Sequence, residues 1–228
     1  MSGRGVVLVS GGNRGIGAAV VQALGAQGWD VSVGMRRPRP LSGVAQVHRH
    51  DALDRASEAA WVAAAVERFG RIDAIVANAG IMIPKTVIEA EDEDLDALLE
   101  VNVKSPLRLV RAAWPQLVAS GRGRVVTIVS LSGLRVKTPR SGLYAISKFA
   151  ALALTHAVRQ TGWDEGVRAC AVCPGFVVSD MSAAVTDRPP ESMTQTDDLA
   201  RIVAFVLDLP NTANIAVLPV NSTLEESL

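Results

Sequence analysis

The chain has 228 residues, of which 49% are hydrophobic and 20% charged, a composition that excludes a disordered tail, a fibrous repeat and a disulfide scaffold. At this length roughly 70–75% of the unfolded surface can be buried, so one core forms without metal or disulfide staples. Lys+Arg and Asp+Glu are balanced at 23 each, which argues against nucleic acid as a partner, and no stretch reaches the ~18 consecutive apolar residues of a membrane span.

Taken in chain order, "MSGRGVVLVSGG" enters an apolar run without the basic region and cleavage site of a secretory leader, so a cytoplasmic chain is expected. Strand-like runs follow at 5–10, 30–35, 45–50, 73–78, 124–130, 167–173 and 214–220. Segments with helical spacing separate them, among them "GIGAAVVQALGAQG", one long "EDEDLDALLEVNVKSPLRLVRAAWPQLVAS" and "LYAISKFAALALTHAVRQTG". This alternation predicts βαβ units in one α/β domain over 1–228, doubly wound around a mostly parallel sheet. Continuously apolar strands predict a sheet covered on both faces. The irregular stretch 179–196 follows a strand's carboxyl end and is expected to form a substrate lid.

The first turn, "SGGNRGIG", places Gly11, Gly15 and Gly17 between a strand and a helix, where glycine permits close approach of a pyrophosphate to backbone N–H groups. It lacks the Gly-Lys-Ser/Thr of an NTPase loop. The second strand ends in "MRRPRP", where a dinucleotide-binding fold that prefers NAD carries a carboxylate. Arginine there favours a 2'-phosphate, so Arg36, with Arg37 assisting, points to NADP, whereas Arg39 is expected to be solvated. Tyr144 and Lys148 are four apart and share one helix face. Lowering a phenol from its ordinary value of 10 to about 7 takes roughly 4 kcal/mol, about what one cation ~4 Å away supplies at an effective dielectric of ~20. Cys170 and Cys173 occupy opposite faces of a strand, and His48 and His50 lack further ligands at a recognisable spacing, so no metal site is expected.

"SGGNRGIG", "ANAG" (77–80), "YAISK" (144–148) and "PGFVVSDM" (174–181) together resemble the short-chain dehydrogenase/reductase family, and in particular its compact NADP-preferring carbonyl reductases. The resemblance implies a Rossmann-type domain with seven strands in the order 3-2-1-4-5-6-7. It implies Tyr144 as general acid/base and Lys148 as the group that lowers the tyrosine pKa and binds the nicotinamide ribose. A serine should hold the substrate carbonyl; strand-end alignment favours Ser130 over Ser132, whereas spacing to Tyr144 does not decide. Asn102 on the long helix matches an asparagine that holds a relay water. For the cofactor, NADP(H), the implied contacts are Asn13 and Ile16 in the glycine loop with Arg14, the basic residue that NADP-preferring members often carry before the middle glycine, Asp51 at the adenine, Asn78, Ala79 and Gly80 at the adenosine ribose, and Pro174, Gly175, Val177, Val178 and Ser179 near the nicotinamide.

The reaction implied is hydride transfer between the nicotinamide and a small or medium, mostly apolar carbonyl or secondary alcohol. Its expected wall is Ile81, Met82, Leu131, Leu134, Val136, Leu143 and Phe176, with Met181 and Met193 from the lid. The family also implies a homodimer or homotetramer. An alternative is a non-catalytic NADP(H)-binding sensor or scaffold, but such a protein is expected to lose Tyr144 or Lys148, and both are present.

Overall fold

The computed structural model describes residues 3–224. β1 (Val6–Ser10) is buried along its whole length, and its side chains divide by the period of two. Val7 and Val9 enter one core with Val31 and Val33 of β2 (Asp30–Met35), under Val20 and Leu24 of α1 (Gly15–Ala26) and Leu199 and Val203 of α7 (Thr196–Asp208). Leu8 points the other way, into a core with Ile75 of β4 (Ala74–Ala77), Trp61 of α2 (Ser57–Phe69) and Leu109 and Leu117 of α4 (Ser105–Ala119).

With β3 (Gln46–Arg49), β5 (Arg124–Ile128), β6 (Arg168–Pro174) and β7 (Val217–Val220), these strands form one seven-stranded sheet in the order β3-β2-β1-β4-β5-β6-β7. Every pairing is parallel. The expected order stands, and "mostly parallel" becomes entirely parallel. The connections reverse direction between β1 and β4, which opens a crevice at the strands' carboxyl ends, where ligands bind in such sheets. Cys170 joins the first core and Cys173 a third one across the sheet, as alternation requires. Burial pushes their thiols up to about 12 and about 11, so both remain protonated.

Two segments differ from the sequence reading. The long helix is three pieces: α3 (Asp92–Leu99), a π-helical turn (Glu100–Lys104) and α4. The stretch 179–196 is not wholly irregular. Ser179 caps α6 (Asp180–Ala183), Pro190–Ser192 forms a 3-10 turn, and a bridge between Val177 and Thr194 pins the base of the segment. Among the described residues no helix is long and apolar enough to cross a membrane.

Candidate active site

A cleft of about 1500 Å³ runs along the carboxyl edge of the sheet from the glycine loop to the segment after β6. At one end, Gly11 and Gly15 take left-handed conformations, with φ of +67° and +52°, which bend the chain from β1 into α1. Gly17 lies behind the loop, where an added Cβ would strike the Gly11 carbonyl oxygen and come within 2.6 Å of Asn78 Nδ2. Asn78 locks the turn, donating from Nδ2 to the carbonyls of Ser10 at 3.0 Å and Gly11 at 3.2 Å. The Arg14 side chain does not cap α1, and no carboxylate occupies the helix's first turn. The positive end of a twelve-residue helix thus opens on the cleft. A pyrophosphate suits this cradle: its glycines leave room for it and the helix leaves N–H donors for it.

At the other end of the cleft, the Tyr144 hydroxyl interacts with the Ser130 side chain. Tyr144 is only 8% exposed, and its ring packs among Leu98, Leu143, Ile81 and Met82. α5 (Gly142–Thr161) carries Tyr144 and, one turn on, the buried Lys148, whose ammonium donates to the Ile128 carbonyl at 3.0 Å. Burial raises the tyrosine pKa, partly offset by Ser130, and lowers the lysine to about 8. Ser130 stands two residues past β5, and its Oγ also accepts from the Ser132 backbone N–H at 3.1 Å. Of the two candidate serines, Ser130 is the one that reaches Tyr144.

Asn102 sits in the π-helical turn and is buried. Its Oδ1 accepts from Ile81 N–H at 2.9 Å, and its Nδ2 donates to the Ile81 carbonyl at 3.0 Å and to Ser147 Oγ at 2.9 Å. Ser147 in turn donates to the Tyr144 carbonyl at 2.7 Å. Both amide protons of Asn102 are thus spent on the protein, so a relay water is not held by Nδ2. Ser147 escaped the sequence reading because a serine on a helix is unremarkable by pattern, and only the fold sets it against Asn102.

A family model described as short chain dehydrogenase matches residues 5–190. The chain belongs to the short-chain dehydrogenase/reductase family. The family is one of oxidoreductases that bind nicotinamide cofactors. Agropine synthesis reductase of Rhizobium rhizogenes is 40% identical over 218 residues, which are 92% of this chain and 50% of that protein. Glycine betaine reductase ATRR of Emericella nidulans is 35% identical over 82% of this chain and 15% of its own length. The chain spans about half the length of the agropine synthesis reductases it matches. Among solved structures, a short chain dehydrogenase from Burkholderia cenocepacia J2315 in complex with NADP superposes with a TM-score of 0.85 at 30% identity, covering 95% of this chain and 96% of that one. An alcohol dehydrogenase from Thermococcus sibiricus complexed with 5-hydroxy-NADP gives 0.85 at 27% identity, covering 98% and 99%.

Most of the remaining residues expected to line the site of this short-chain dehydrogenase do so. Asn13, Ile16, Asp51 and Ala79 line the cleft, Gly80 lines it beside Asn102 and Lys148, and Pro174, Gly175, Val177 and Ser179 line it after β6. Val178 does not: it borders a smaller hollow behind the loop. Asp51 accepts from Leu53 N–H at 3.2 Å, closing a local turn. Arg36 and Arg37 are exposed on the cleft wall. Arg14 pairs with Asp180 of α6. Arg39, expected to be only solvated, is exposed but reaches back to the Asn13 carbonyl at 3.3 Å. Of the expected substrate wall, Ile81, Met82, Leu131, Phe176 and Met181 line the cleft. Leu143 and Met193 are buried core, and Leu134 packs against the third core. Val136 is 59% exposed outside the lining.

Proposed function

We propose that the chain reduces a small or medium carbonyl compound with NADPH, and catalyses the reverse oxidation of a secondary alcohol. The observation that carries this reading is the Ser130–Tyr144 pair, set in an apolar collar in the same cleft as the open end of α1. The bound cofactor supplies hydride from its nicotinamide. Ser130 donates a hydrogen bond to the carbonyl oxygen, and the Tyr144 phenol, kept protonated by burial, gives that oxygen its proton as negative charge develops there. Lys148 supplies a buried cation on the same helix face and a donor for the nicotinamide ribose. Asn102 and Ser147 position this turn of α5 without touching the substrate.

NADP preference rests on Arg36, with Arg14 and Arg37, where an NAD-preferring fold has a carboxylate. The NADP complexes of similar structures and the reductase names of the relatives support the cofactor and the direction. The segment 179–196 serves as a lid, held to the glycine loop by the Arg14–Asp180 pair. The chain self-associates through exposed apolar side chains of α4 and α5, namely Leu107, Ile146 and Phe149.

The test measures oxidation of NADPH and of NADH over a panel of aldehydes and ketones, for wild type and Arg36→Asp. NADPH is expected to be preferred, and the substitution to shift the ratio of kcat/KM values toward NADH by roughly tenfold or more, the loss of one charge-assisted contact. A ratio unchanged by Arg36→Asp would remove the 2'-phosphate assignment.

A further inference from the structure

We infer that the natural substrate is anionic, a carbonyl compound whose carboxylate is held by Arg188 and Arg140 beyond the Ser130–Tyr144 pair; this rests on the carbonyl-reducing reading above. The chain as a whole is electrically balanced, with 23 basic and 23 acidic residues, but the cleft is not. Beyond the arginines assigned to the cofactor, its lining includes Arg140 and Arg188. The carboxylates in this part of the lining are Asp187 and Asp180, and Asp180 is paired to Arg14. Basic side chains bordered by the apolar surfaces of Ile81 and Met82 focus a positive field where a substrate enters.

Arg188 has the geometry of a binding group. It is half-buried, and its guanidinium stacks on the Phe176 ring at 5.3 Å from the centroid. Among the described residues that guanidinium has neither an ion pair nor a hydrogen bond. A guanidinium half removed from water without an acceptor forgoes interactions that a carboxylate would restore through two parallel N–H···O bonds. Contact with the Phe176 ring restricts the guanidinium beforehand, so less rotamer freedom is lost on binding. Phe176 follows Pro174-Gly175, and both it and Arg188 line the same cleft as Ser130 and Tyr144. Arg140 approaches from the turn before α5, with Nε donating to the Pro84 carbonyl at 3.0 Å, and lines the same cleft.

The test uses 4-oxopentanoate and 6-oxoheptanoate beside their primary amides, which keep the carbonyl and lose the charge. Each is titrated calorimetrically into the full chain saturated with NADPH, so that the result does not depend on turnover. At low salt at least one acid should bind about tenfold tighter than its amide, the scale of a charge-assisted hydrogen-bonded pair. The advantage should shrink when ionic strength rises to about 0.3 M, and Arg188→Gln should bring the ratio close to unity. Equal binding of acids and amides, binding of neither, or an advantage that persists in Arg188→Gln would overturn the inference. Turnover with Tyr144→Phe as control is measured separately, so a failed catalytic reading and a failed anion site give different outcomes.

Discussion

Tyr144 and Lys148 share a helix face, and the lysine has a second partner beside the tyrosine: its Nζ donates to the Ile128 carbonyl at 3.0 Å and lies 5.6 Å from the tyrosine ring centroid. The spacing Tyr-x-x-x-Lys announced the pair; the lysine's other partner was invisible in it because it belongs to a distant strand end. Lys148 titrates near 8 because burial disfavours its charge. If the cation is needed to bind the nicotinamide ribose, kcat/KM with NADPH as the varied substrate should fall about tenfold per pH unit above about 8; a profile flat to pH 10 would contradict that role. Stability moves oppositely. The unfolded chain holds this proton up to 10.5 and the folded chain releases it near 8, so the unfolding free energy should rise with pH across that window, and Lys148→Met should flatten the rise. Ser147→Ala should lower kcat about tenfold, with little change in NADPH affinity, by releasing the turn that Asn102 holds; Ser147→Thr should restore much of the loss if it keeps the bond.

Among elements, the glycine loop and the π-helical turn carry the site. Gly17→Ala drives a methyl group into the Gly11 carbonyl and should abolish NADPH binding, whereas Gly15→Ala meets only Ser179 Cβ at 3.6 Å and incurs the left-handed backbone penalty of about 1–2 kcal/mol. Binding lost equally in both variants would contradict the packing role of Gly17. The loop's motif was fully legible, because glycine spacing is a backbone requirement written directly in the sequence. The π-helical turn was not, because "LLEVNVKSPL" keeps helical periodicity through it. Behind the turn, Arg108 of α4 bonds both Glu58 and Glu100 and the Ala52 carbonyl, and His50 bonds Glu58. This ties the adenine side of the cleft to the segment that carries Asn102. Burial raises the Glu58 pKa, but hydrogen bonds from His50, Arg108 and Ser105 outweigh it and hold the carboxyl at about 2. Its contribution to stability is therefore complete above 4.5 and lost as pH falls from there toward 2. Arg108→Met leaves a buried carboxylate uncompensated and should cost about 3–5 kcal/mol in urea denaturation; a loss below 1 kcal/mol would show that the network is solvated.

At the scale of the molecule, the βαβ alternation gave away the sheet, since buried parallel strands read as continuous apolar runs and the helices between them as periodic ones. Strand ends were less legible: 45–50 shrinks to Gln46–Arg49 and 214–220 to Val217–Val220, although Ala45 and His50 still donate to β2 carbonyls and the Ala216 carbonyl still accepts from β6. The substrate wall divided for a similar reason. Leu143 and Met193 are apolar in order to fill a core, and hydrophobicity alone does not separate core from cleft. The claim that unites these scales is that one cleft holds NADPH and a carbonyl against Tyr144. Its most direct test measures NADPH binding and NADPH oxidation for Tyr144→Phe beside wild type, with the best carbonyl of the panel. The account predicts unchanged NADPH affinity and a loss of kcat of about a thousandfold or more, the scale of a removed general acid. Turnover equal to wild type in Tyr144→Phe would contradict it.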